Sequence, residues 1–96
     1  MQHRIVTVSN RLGLHARAAA RLVRRAAQFT SDVELIRQDT GEIANGKSIL
    51  SVLLLAASRG TCLTIKTSGE DEERAADEIV ELIEQKFGEE VSDGVF

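Results

Sequence analysis

The strongest constraint on this chain is an alternation of two periodicities. Short β-branched runs are separated by segments whose apolar residues recur every three or four positions. Arg4-Ile5-Val6-Thr7-Val8 reads as a strand, and Asn10-Arg11-Leu12-Gly13-Leu14 as the turn leaving it. A helix is expected over residues 16–28, with Ala18, Ala19, Leu22, Val23 and Ala26 on one face and Arg17, Arg21, Arg24 and Arg25 on the other. Residues 32–36 and 41–44 read as strands, joined into a hairpin through Asp39-Thr40-Gly41. Ser48 is placed to cap a short helix over residues 49–57, and Gly60 ends that pattern. A fourth strand is expected over residues 61–67, with Leu63 and Ile65 inward and Cys62 on the open side. A last helix opens on Glu70-Asp71-Glu72-Glu73, acids that suit its positive end, and buries Ala76, Ile79, Val80, Ile83 and Phe87. Four strands with helices between them predict an α+β layer pair, the helices packed on one face of an antiparallel or mixed sheet. The expected domain covers residues 1–88, and 89–96 are expected to be a flexible polar tail.

Composition excludes several classes. The 96 residues suffice for one domain with a modest core. With 43% hydrophobic and 28% charged residues, the chain is neither disordered nor membrane-inserted, and no apolar run approaches the roughly 18 residues of a spanning helix. Its start leads straight into a strand pattern, so no secretory signal is visible. A lone Cys62 permits no internal disulfide and no cysteine metal cluster, which fits a reducing cytoplasm. There is no Tyr or Trp to stack bases, only Phe29, Phe87 and Phe96, and the net charge is −3, so a nucleic-acid binder is poorly supported. The charge is also polarised. Residues 1–30 carry six arginines and no acid, whereas residues 70–96 carry eleven acids against Arg74 and Lys86. The arginine-rich end suits an acidic partner or an anion.

At that basic end, Gly13-Leu14-His15-Ala16-Arg17 delivers an imidazole to what reads as the first residue of a helix. The helix start offers backbone N–H groups without intrahelical acceptors and the positive end of a dipole. Arg17 adds a fixed charge with a donor fork. The imidazole adds a nitrogen nucleophile near neutral pH. A lone histidine in a turn is more often an ordinary surface residue, and it is the anion-binding surroundings that single this one out. No other metal-ligating residue lies beside it, so no metal is expected. No acid precedes Asp32, so a carboxylate orienting this ring would have to come from far along the chain. His3 has no such company. Two readings of the constellation stand: a phosphoryl acceptor, or an anion-binding module that makes no covalent bond.

The motif Gly13-Leu14-His15-Ala16-Arg17 resembles the active-site motif of the HPr family, the histidine-containing phosphocarriers of the phosphoenolpyruvate-dependent phosphotransferase system, including its nitrogen-branch NPr members. Gly46-Lys47-Ser48-Ile49 resembles the family's regulatory serine site, and the likeness runs from about residue 5 to residue 87. The resemblance implies an open-faced β-sandwich of order βαββαβα, a four-stranded antiparallel sheet with three helices on one face. It implies a carrier rather than an enzyme, monomeric and without cofactor. Its His15 would take phosphate on Nδ1 from enzyme I and pass it to IIA-type acceptors. Arg17 and the Ala16 N–H would steady the phosphate, and Ser48 would be open to an HPr kinase/phosphorylase. Arg21, Arg24, Ile49, Leu50 and Leu53 would form the partner surface. Two departures stand out. Ala18 occupies a position where many members have proline, and Leu12 one where many have a short polar residue. Sugar and nitrogen branches both remain open.

Overall fold

In each strand of the computed structural model, every second side chain turns inward, which is why the strands read clearly in the sequence. The structure describes residues 1–89, and the remaining expected tail, 90–96, lies outside the described residues. The strands are β1 (Gln2–Thr7), β2 (Asp32–Arg37), β3 (Ile43–Asn45) and β4 (Cys62–Ser68). The helices are α1 (Ala16–Ala26), α2 (Ile49–Leu54) and α3 (Glu72–Glu84), followed by a short 3₁₀ turn at Lys86–Gly88. The sheet is antiparallel throughout, in the order β1-β4-β2-β3, with Val6 opposite Leu63 and Leu35 opposite both Ile65 and Ala44.

Val6, Val33, Leu35, Ala44, Leu63 and Ile65 face the helices and are buried. Ile5, Thr7 and Ile43, on the other face, are exposed, and Cys62 is half-buried on that side. α3 lies along β1 and β4, α2 lies against β3, and α1 packs on both α2 and α3. Ala18, Ala19, Leu22 and Ala26 of α1 meet Ile79 and Ile83 of α3 in a single core, with Val23 and Val80 at its margin. This is the open-faced βαββαβα sandwich.

Strand and helix ends shift by one or two residues from expectation, and three further departures have a tertiary reason. α2 stops at Leu54 rather than running to residue 57: Ala56 has φ 52°, and Arg37 of β2 donates to the carbonyls of Leu55 and Ala56 at 3.1 and 3.2 Å. α3 ends at Glu84, so Phe87 is not part of its stripe. Lys86 and Phe87 take left-handed backbone (φ 57° and 55°), which turns the chain back and drops the Phe87 ring, 1% exposed, into the core. Asp71, the N-cap of α3, accepts the Ala75 N–H on its carbonyl at 2.9 Å but makes no side-chain cap bond. Its side chain accepts instead from the Ser31 and Thr30 N–H groups at 2.9 and 3.0 Å and from the Ser31 hydroxyl, tying the α1–β2 loop to the α3 start.

Candidate functional site

The turn between β1 and α1 is built on Gly13. Its φ is 65°, and its N–H donates to the Asn10 carbonyl at 3.2 Å. A Cβ there would lie 2.7 Å from the Ala57 carbonyl oxygen and 2.8 Å from the Ser58 Cα, so glycine is required twice over. Leu14 follows, buried, with its N–H bonded to Ala57 O at 2.9 Å. This anchor presents His15 to the surface. Asn10 lies beneath the turn, fully buried, and its amide donates to Gly13 O at 2.8 Å and to Glu89 Oε1 at 2.9 Å. Its Oδ1 has no hydrogen-bond partner among the described residues.

His15 is the N-cap of α1 and not its first helical residue, which corrects the sequence reading. Its backbone is extended (φ −74°, ψ 179°), and its carbonyl accepts the Ala19 N–H at 2.8 Å. The ring does what a capping side chain does: Nδ1 accepts the Arg17 N–H, at a long 3.3 Å. The helix-start amide is thus engaged by the imidazole itself. The ring side chain keeps 27% of its surface exposed, so it is not packed away. Its other nitrogen, Nε2, lies 2.5 Å from Glu89 Oε2. The sequence places Glu89 at the start of a flexible tail. Here it is 10% exposed at its side chain and held between Asn10 and His15.

The ring stands in a cleft of about 400 Å³ with Leu12, Ala16, Arg17, Arg21 and Glu89. Ala16 and Arg17 are exposed, and their N–H groups open α1, whose first turn carries no acid. Arg21, half-buried, donates from its guanidinium to the Phe87 carbonyl, so the turn that carries Glu89 back is braced by α1. Leu12 is 63% exposed at the cleft rim. The arginine face of α1 divides: Arg17 and Arg21 flank the cleft, Arg24 is exposed, and Arg25 pairs with Glu78 at 3.6 Å. Among the described residues no group of three or more His, Cys, Asp or Glu could hold a metal ion, and no helix is long and apolar enough to cross a membrane.

Ser48 caps α2, accepting the Ser51 N–H at 3.3 Å. Beyond it Ile49, Leu50 and Leu54 stand 45%, 64% and 70% exposed, whereas Val52 and Leu55 are buried. Leu53, expected on the partner surface, is only half-exposed and packs on the core, and Leu54 takes the outward place. Asn10 and Glu89 also belong to the site, although neither stands out in the sequence. Asn10 has the sequence context of an ordinary turn residue, and nothing local to Glu89 signals that it reaches His15.

The family model described as the PTS HPr component phosphorylation site matches residues 2–85. A phosphocarrier protein HPr of Cupriavidus necator is 44% identical over 93% of this chain and 98% of its own length. A phosphocarrier protein NPr of Shewanella violacea is 36% identical over 90% of this chain and 92% of its own. Among solved structures, HPr-C-His from Thermoanaerobacter tengcongensis superposes with a TM-score of 0.86 at 36% identity, covering 92% of this chain and 97% of that one. A family match across nearly the whole chain, an HPr fold and a histidine capping the first helix at an arginine-flanked cleft converge: the chain belongs to the HPr family of phosphocarrier proteins, carriers rather than catalysts.

Proposed function

We propose that His15 accepts a phosphoryl group on Nδ1 from phosphorylated enzyme I and hands it to IIA-type acceptors in the cytoplasm. The observation that carries this reading is the direction of Nδ1: it faces the Arg17 N–H at the start of α1, on a ring that is partly exposed at the cleft. The long capping bond is a weak one to give up. A phosphoryl group arriving at Nδ1 takes over the amides of Ala16 and Arg17 and the positive end of the helix. The Arg17 guanidinium supplies further charge neutralisation from an exposed position. Such a site holds the group without burying it, as a carrier requires. Phosphoryl transfer asks mainly for in-line positioning and charge neutralisation, and the partner supplies much of both.

Ile49, Leu50 and Leu54, with Arg17, Arg21 and Arg24, form the apolar and basic surface offered to the donor. Ser48 lies at the edge of that surface. A phosphate there would add about two negative charges and oppose an acidic partner. Incubation with phosphoenolpyruvate and enzyme I is expected to add the mass of one phosphoryl group in an acid-labile bond, and His15→Ala to abolish it. Anion binding without that adduct would return the chain to a non-covalent role.

A further inference from the structure

We infer that Glu89, clamped by Asn10, is a positioning residue that sets the tautomer of His15 so that Nδ1 is the nucleophile. The inference rests on the reading of His15 as the phosphoryl acceptor. A neutral imidazole carries one ring proton. A carboxylate can only accept, so the 2.5 Å contact to Glu89 Oε2 puts that proton on Nε2. On the other side of the ring the Arg17 N–H donates to Nδ1, which requires a lone pair there. Two contacts from opposite ends of the chain therefore specify one tautomer.

The clamp is equally directional. The Asn10 amide donates to Glu89 Oε1, and Asn10 is fully buried beneath the turn. Glu89 thus meets a donor at each oxygen, Asn10 at one and the His15 Nε2–H at the other. The Lys86–Gly88 turn, fastened to Arg21 through the Phe87 carbonyl, holds the carboxylate in place. During transfer the Nδ1 lone pair forms the nitrogen–phosphorus bond while the bond to the donor breaks, and the departing group keeps that electron pair. The ring retains its Nε2 proton and becomes positively charged. The Glu89 carboxylate neutralises that charge from the side away from the phosphoryl group.

The isosteric variant separates this role from packing. In Glu89→Gln the amide can satisfy Asn10 or His15, but not both as the carboxylate does. With its oxygen held by Asn10, the side chain turns an NH₂ donor on Nε2 and drives the ring proton to Nδ1. Glu89→Ala leaves Nε2 to water, where imidazole keeps mostly the Nε2–H form. The glutamine variant is therefore expected to lose on the order of tenfold or more in the rate of phosphorylation by enzyme I, at least as much as the alanine variant. Side-chain ¹⁵N spectra of the unphosphorylated protein are expected to show the Nδ1–H form becoming dominant with glutamine and staying minor with alanine. A packing role predicts the reverse ranking, because glutamine fills the space that alanine empties. Phosphorylation of Glu89→Gln within about twofold of the parent rate, with unchanged ring-nitrogen signals, overturns the inference. His15→Ala keeps the two questions apart: if it still accepts phosphate, the acceptor assignment fails, while the tautomer measurement judges Glu89 regardless.

Discussion

Replacing Gly13 by alanine is expected to cost far more than the same change at Gly41, although both carry positive φ, 65° and 77°. The left-handed backbone alone costs an alanine about 1–2 kcal/mol at either site. At Gly41 no atom of the described residues lies within 4 Å of the added Cβ, so the cost ends there. At Gly13 the Cβ meets backbone, the Ala57 oxygen at 2.7 Å and the Ser58 Cα at 2.8 Å. That backbone cannot yield freely, because Ala57 O is the acceptor for Leu14 N–H at 2.9 Å. Overpacking of this kind adds about 1–3 kcal/mol. Gly13→Ala should therefore lose about 2–5 kcal/mol against about 1–2 kcal/mol for Gly41→Ala. With a urea slope of about 1 kcal/mol/M for a small domain, the two midpoints should differ by about 1–3 M. Far-ultraviolet circular dichroism is the suitable probe, since the chain has no Trp or Tyr. Midpoints within about 0.5 M of each other would refute the argument that the turn is pressed against residues 57–58.

Other outcomes follow from single contacts. The Ser31 hydroxyl, then the Thr30 N–H, hold the Asp71 carboxyl down at about 2 from an ordinary 3.8. Its pKa is lower folded than unfolded, so its stabilisation is complete above the ordinary value and is lost as pH falls from there to about 2. Thermal unfolding of Asp71→Asn across that window should lack this component of the acid slope. Leu22, fully buried in α1, should lose about 2–5 kcal/mol on change to alanine, whereas Leu54, exposed, should lose under about 0.5 kcal/mol; chemical denaturation compares them. Ser48→Ala removes the α2 cap and should cost about 1 kcal/mol in the same titration. Ser48→Asp keeps a capping oxygen and should instead slow phosphorylation of His15 by enzyme I.

The sheet was legible because its inward positions are apolar at period two: Leu63 and Ile65 announced β4, and Val33 and Leu35 announced β2. The α1 stripe was legible for the same reason at period 3.6, and Ser48 announced a cap through its side-chain chemistry. The end of α2 was not, because no local breaker precedes Gly60 and the carbonyls at Leu55 and Ala56 are answered by Arg37 from β2. Phe87 matched the α3 repeat although the backbone reverses before it, for the apolar spacing marks burial and not the path that achieves it. At the site, Gly13, His15 and Arg17 are local and could be read. Asn10 is also local, but its burial is not. Glu89 meets His15 across 74 positions, a pairing that only the folded chain brings about.

The strand order β1-β4-β2-β3 also bears on how the protein is made. Among the described residues β1 has a single neighbour in the sheet, β4, which begins only at Cys62. A nascent chain on the ribosome therefore carries its first strand unmatched through most of its synthesis. The hairpin of β2 and β3 can close early, but β1 has no ladder to join until β4 has cleared the exit tunnel. Chains halted before residue 62 should stay protease-sensitive along β1 and engage chaperones, and release of β4 should seal the domain in one late, cooperative step.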